Sequence, residues 1–128
     1  MQRLLIIDDE LPILKAFSRA FASQSLEVVT ASTAGEGESI FADLRPDVVV
    51  LDIHLPDSSG IECYKRLREH DPRVPVIFIT GHGTVQSAIE AMKLGAYDYL
   101  FKPLELSDMR DLIEKALRLS RMIRIQPV

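Results

Sequence analysis

The chain is short of several things, and each shortage closes a class of function. One cysteine, Cys63, stands in 128 residues. No internal disulfide can form, which fits a reducing compartment. No apolar run approaches the ~20 residues that a membrane-spanning helix needs. The start, Met1-Gln2-Arg3 before four apolar residues and then acids, is too short and too acidic for a secretory signal. The single cysteine and the histidines have no zinc-site spacing. Positive charge is in deficit: the net charge is -4, which argues against non-specific nucleic-acid binding by this segment. Repeats and low-complexity segments are lacking as well. With 47% apolar residues the chain fits a globular domain with a real core. The expectation is a cytoplasmic chain of one domain, or one domain cut from a longer protein.

What is present centres on Val48-Val49-Val50-Leu51-Asp52. Four apolar residues, three of them β-branched, read as a strand buried on both faces. Burying an unpaired carboxylate is costly, so Asp52 belongs at the strand's exit. Leu4 to Ile7 is a similar run and ends in Asp8-Asp9-Glu10. Further strands are expected over Leu26–Ala31, Val74–Ile79 and Tyr97–Phe101. Helices are expected between them. The first starts at Pro12 and carries Leu14, Phe17 and Phe21. The second opens on a Thr33/Glu36 capping box and is weakened by Gly35 and Gly37. The third is capped by Ser59 and buries Ile61, Tyr64 and Leu67. The fourth, Thr84–Leu94, turns Ala88, Ile89 and Met92 inward, with Gly95 as its C′ residue. The fifth, Asp108–Met122, has Met109, Leu112, Ile113 and Ala116 as its inner stripe. Five strands alternating with five helices predict an α/β fold, a parallel sheet with right-handed crossovers and helices on both faces.

In such a sheet all strand C-termini share one edge. Asp8 and Asp9, Asp52, Thr80 and Lys102 all fall at strand ends. Each alone could be a cap or a solvated loop charge; together they form a candidate site. Three converging carboxylates need a counter-charge. A hard divalent cation with oxygen ligands supplies it, and Mg²⁺ asks for only a few carboxylates plus water. A hydroxyl and an ammonium beside a carboxylate suit a transferred phosphoryl group, with Asp52 as nucleophile.

These residues resemble the receiver domain of two-component response regulators. The resemblance rests on Asp8-Asp9, on Asp52 followed by Pro56 and Gly60, on Thr80-Gly81, and on Lys102-Pro103 in matching order. It covers nearly the whole chain. The segment from Gly81 to Tyr99 looks like the nitrogen-regulatory subgroup, in which the receiver controls the ATPase module of an enhancer-binding activator. The resemblance implies a flavodoxin-like doubly wound sheet of order 2-1-3-4-5, with residues 1–122 as the receiver and 123–128 as the start of a linker or tail. It implies that Asp52 accepts phosphate from a cognate histidine kinase. Asp9, Asp52 and the main-chain carbonyl of His54 would bind Mg²⁺ directly, with Asp8 acting largely through water. Thr80 and Lys102 would each bond a phosphoryl oxygen. Tyr99 would be an aromatic switch, although burial at a strand end explains it equally. The Lys102-Pro103 bond would be cis. The domain would not be an enzyme beyond slow loss of its own phosphate. Its output surface would be the fourth helix, fifth strand and fifth helix, used for a phosphorylation-dependent homodimer or for an effector domain outside this chain, with a transcriptional output.

Other side chains have plainer readings. His54 and His82 each lie two residues after a site residue and read as exposed loop groups, or as groups beside the phosphate that tune water access. His70 reads as surface and Cys63 as a half-buried helix residue. Lys115, Arg118, Arg121 and Arg124 recur every three residues, as favourable charge at a helix C-terminus or the start of a linker helix. A phosphatase of the haloacid-dehalogenase type would need a second Asp where His54 stands. A flavodoxin-like flavin carrier would not exit its first strand into acids. A receiver-like docking module that is never phosphorylated would not need the full acceptor set.

Overall fold

A computed structural model describes residues 1–81 and 84–125. Among them the elements alternate: β1 (Gln2–Ile7), α1 (Leu11–Phe21), β2 (Leu26–Ala31), α2 (Ala34–Leu44), β3 (Val48–Asp52), α3 (Gly60–His70), β4 (Val76–Thr80), α4 (Val85–Lys93), β5 (Asp98–Phe101) and α5 (Leu106–Ile125). The strands pair in parallel in the order β2-β1-β3-β4-β5. The chain reverses its direction of travel between β1 and β3, so a crevice opens beyond their C-terminal ends.

The continuous apolar runs become the central strands because both faces are covered. Leu5, Ile7, Val49, Leu51 and Phe78 pack on one face with Phe41, Tyr64 and Leu67. Leu4, Ile6, Val48, Val50, Ile77 and Ile79 pack on the other with Phe17, Met109 and Ile113. Each fully buried aliphatic side chain contributes roughly 1.5–3 kcal/mol. Two such layers leave the sheet little freedom, and the strand ends inherit its rigidity.

Local chemistry sets where helices start. The Thr33 side chain accepts the Glu36 N–H at 3.1 Å. The Glu36 carboxylate completes only half of a capping box, since it takes the Ser32 N–H instead. Ser59 caps α3 through the Glu62 N–H. Gly95 has a φ of 102°, as a C′ residue after α4 requires. Gly37 has a packing reason as well as its cost in helix propensity. A Cβ there would lie 2.8 Å from Ile7 Cγ1, so the glycine lets α2 close onto β1.

Two expectations are corrected. Ile89 and Met92 do not face inward: they are 49% and 46% exposed. The face of α4 that meets the core carries the smaller Ala88 and Ala91, with Leu94 just past its end. Small residues let a short helix lie close to the sheet, and the larger stripe is turned out. The last helix also exceeds its expected span, beginning at Leu106 and running to Ile125. Arg124 explains its far end. The guanidinium pairs with Asp47 at 3.1 Å and bonds the Pro46 carbonyl at 3.2 Å. Arg121 likewise donates to the Gln2 side chain. Two members of the basic run therefore fasten the end of α5 to the base of the sheet.

Candidate functional site

Asp8 follows the last residue of β1, Asp52 ends β3, Thr80 ends β4 and Lys102 follows β5. The parallel sheet delivers all four to one edge. Asp8 and Thr80 are fully buried and Asp52 is 4% exposed. Asp9, one residue further out, is exposed. One carboxylate oxygen from each of Asp8, Asp9 and Asp52 lies within 4.8 Å of the others.

Lys102 balances part of this charge. Its ammonium lies 2.9 Å from Asp8 Oδ2 and 3.3 Å from both Asp52 Oδ2 and Glu10 Oε2. Asp8 Oδ2 accepts no well-directed hydrogen bond, so its tie to Lys102 is one of charge. Asp8 Oδ1 accepts the Glu10 N–H at 2.8 Å, and Asp52 Oδ1 accepts the His54 N–H at 3.1 Å. The Lys102-Pro103 peptide is cis.

Burial pushes the Asp8 carboxyl above its ordinary range, and repulsion from Asp52 adds to this. The Glu10 N–H and Lys102 oppose it without overcoming it. Burial alone would lower the Lys102 ammonium, but Asp8 and Asp52 raise it above its ordinary value. Lys102 is thus held charged at neutral pH. One ammonium against Asp8, Asp9, Asp52 and Glu10 leaves the pocket negative. An oxygen-seeking divalent cation fits this donor set, because one ammonium offsets only part of the charge of three carboxylates whose oxygens lie within 4.8 Å of one another.

The sequence overlooked three contributors. Glu10 was legible only as the third acid of a run, yet it reaches Lys102. Ser87 completes a capping box with Thr84, a pattern masked because Ser replaces the usual Glu or Gln. Its hydroxyl also shares a 2.8 Å hydrogen bond with the Tyr99 hydroxyl. Tyr99 is 9% exposed, with its ring 5.3 Å from Phe101 and 6.1 Å from Phe78. Asp57, a turn residue by sequence, bonds to the start of α2. The His54 side chain is exposed; His82 lies outside the described residues. Cys63 is fully buried, and burial pushes its thiol up to about 12. His70 is exposed.

Comparison with known proteins decides the family. The response regulator receiver domain pattern matches residues 4–114. The chain belongs to the response regulator receiver domain family. The receiver is 39% identical over 122 residues to Regulatory protein AtoC of Escherichia coli (strain K12), covering 95% of this chain and 26% of that protein. It is 33% identical over 119 residues to the DNA-binding transcriptional regulator NtrC of Salmonella typhimurium (strain LT2), covering 91% of this chain and 25% of that one. The chain thus spans about a quarter of the length of these curated relatives. The solution structure of the beryllofluoride-activated NtrC4 receiver domain dimer superimposes with a TM-score of 0.87 at 35% identity, covering 94% of this chain and 99% of that one. These matches group the receiver with the nitrogen-regulatory, enhancer-binding activators, as the Gly81–Tyr99 segment suggests. No described helix is long and apolar enough to cross a membrane.

Proposed function

We propose that Asp52 is the phospho-acceptor of this receiver, taking a phosphoryl group from a cognate histidine kinase. The observation that carries this is the Lys102 ammonium lodged between the buried carboxylates of Asp8 and Asp52, with Asp9 beside them. Lys102 is held charged and so offsets part of the roughly two negative charges that an incoming phosphoryl group carries. An oxygen of the ionised Asp52 carboxylate attacks phosphorus, the bond to the kinase histidine nitrogen breaks, and its electron pair returns to the imidazole. Asp9, Asp52 and the His54 carbonyl would hold Mg²⁺, with Asp8 acting through water; the ion supplies charge neutralisation at the phosphoryl oxygens. Thr80 supplies a hydroxyl to one phosphoryl oxygen and Lys102 pairs with another. Pro103 sets the backbone turn behind the lysine.

A groove of about 610 Å³ beside the site is lined by Pro12, Ile13, Phe17 and Leu104, with Lys102 at its edge. Output runs through the opposite flank. Val85, Ile89 and Met92 on α4 and Phe101 on β5 are exposed apolar groups, and the Tyr99–Ser87 bond ties β5 to α4. Movement of Thr80 toward a phosphoryl group changes the space beside Tyr99 and hence this surface. The surface serves self-association or docking of an effector domain, with a transcriptional output, in the cytoplasm. The expected boundary at 122 falls inside α5; Arg124 still ties that helix to the sheet, so the proposed linker starts beyond it rather than at 123. The domain is an acceptor that slowly loses its phosphate to water, not an enzyme acting on a separate substrate.

Intact-mass measurement with acetyl phosphate and Mg²⁺ tests the core of this reading. One phosphate should be gained, and Asp52→Asn should gain none. Equal labelling of that variant would move the acceptor elsewhere.

A further inference from the structure

The loop from Ile53 to Ser59 carries the backbone that faces Asp52, and it is fastened at both base and tip. At its base Gly60 donates its N–H to the Ile53 carbonyl at 2.7 Å, and His54 bridges Ser59. At its tip Asp57 reaches across to α2. Its Oδ1 accepts the Ala34 N–H at 2.8 Å and its Oδ2 accepts the Gly35 N–H at 2.9 Å. These are the first two residues of α2, whose N–H groups have no partner inside the helix. The helix dipole favours an anion at this end. The bonds from Gly35 and Ala34 hold the Asp57 carboxyl below the usual carboxylate range.

A second tie lies alongside. Arg66 on α3 pairs with Glu38 on α2 at 2.7 Å and donates to the Ser58 hydroxyl at 2.9 Å. The loop tip is thus referenced to α2 and α3 rather than left to its own turn. Near the loop's start the His54 N–H holds Asp52 Oδ1 at 3.1 Å. Any rotation of that peptide unit turns the acceptor carboxylate with it. Thr33 serves the Glu36 N–H from within the local sequence, whereas the Ala34 and Gly35 N–H groups are taken by Asp57 from a separate loop, so capping α2 and tethering the loop are the same two bonds.

We propose that Asp57 is a positioning residue of the phosphorylation site: by clamping the loop tip to the N-terminus of α2, it fixes the His54 segment that orients the Asp52 carboxylate and offers its carbonyl to the metal. The inference rests on the Mg²⁺ and Asp52 reading above.

Magnesium titration of the metal-free chain, paired with amide hydrogen exchange, tests it on four proteins: wild type, Asp57→Ala, Asp57→Asn and Thr33→Ala. Thr33→Ala removes a cap of α2 without touching the loop, so it reports the purely structural effect. Asp57→Ala should weaken Mg²⁺ by roughly tenfold, the low end for groups that orient metal ligands. Thr33→Ala should stay within about twofold of wild type. Asp57→Asn should fall between, since its one carboxamide oxygen can accept one of the two bonds. Without metal, Asp57→Ala should speed exchange at the His54 amide, and Thr33→Ala should speed it only in α2. Should Asp57→Ala unfold, the asparagine variant carries the comparison. Wild-type affinity in the Asp57 variants, or equal losses in Asp57→Ala and Thr33→Ala, overturns the inference alone. A wild-type chain that binds no Mg²⁺ overturns the site reading and the inference together.

Discussion

Replacing Gly60 with alanine tests whether the acceptor is held by backbone contact rather than by its loop's own preferences. Gly60 opens α3 and is buried. Its φ is not positive, so conformational freedom does not explain the glycine. A Cβ would sit inside van der Waals contact of the Asp52 carbonyl oxygen, 2.8 Å from Ile53 Cα and 3.0 Å from the Asp52 carbonyl carbon. Carbon atoms pack best at ~3.5–4.0 Å, so the first turn of α3 and the exit of β3 must part by about 1 Å. Overpacking costs about 1–3 kcal/mol. Both sides here are backbone and cannot rotate away, which puts the cost at about 3 kcal/mol. Alanine returns up to about 1 kcal/mol in helix propensity. The net is a loss of about 2 kcal/mol, which lowers the melting temperature of a domain this size by roughly 6–10 °C. Urea denaturation should show a lower midpoint with an unchanged slope. Labelling of Asp52 by acetyl phosphate should slow as well, because the residue that must move is the acceptor itself. Gly35→Ala is the control: its Cβ would be 3.4 Å from Asp57 Oδ2, an ordinary contact, so that variant should gain about 0.5–1 kcal/mol. A Gly60→Ala protein as stable as wild type would refute the close-contact argument. A destabilised one that labels at the wild-type rate would refute the link to the acceptor.

Two further outcomes are expected. The Asp8 carboxyl is raised in the folded chain above its ordinary 3.8, chiefly by burial, so its contribution to stability is present below that pH and lost as pH rises through the folded value. Lys102 is raised above 10.5, so its contribution persists to alkaline pH. Asp8→Asn should therefore exceed wild type in metal-free stability at pH 7, with the gap closing toward pH 3.8; thermal melts across pH that show no gain, or a constant one, would contradict this. On the output flank, sedimentation velocity with Mg²⁺ and beryllofluoride should convert wild type from monomer to dimer. Ile89→Glu should stay monomeric, and a wild type that never associates would remove self-association from the proposed role of α4.

Much of the fold was written locally. The runs ending at Ile7, Asp52 and Thr80 are short, rich in β-branched residues and bounded by polar or turn residues, which favours strands covered on both sides over a buried helix. Their alternation with capped helices leaves a parallel sheet, and parallel strands must end at one edge. The meeting of Asp8, Asp52, Thr80 and Lys102 therefore follows from order along the chain. The turn-out of Ile89 and Met92 does not follow from it: α4 has two apolar stripes, and tertiary packing puts the one with Ala88 and Ala91 against the core. Nor could spacing place Glu10 on Lys102, or Ser87 on the Tyr99 hydroxyl, since each depends on where two separate elements come to rest. Asp57 is the clearest case. By sequence it is a turn residue five positions after Asp52; only the tertiary packing of α2 beside this loop brings two N–H groups that the helix leaves unbonded within reach of its carboxylate. Local pattern sets the period, the caps and the strand ends of this receiver. Which side chains touch across elements is decided by how the layers pack, because hydrogen bonds and ion pairs act over a few ångströms and distance along the chain does not measure them.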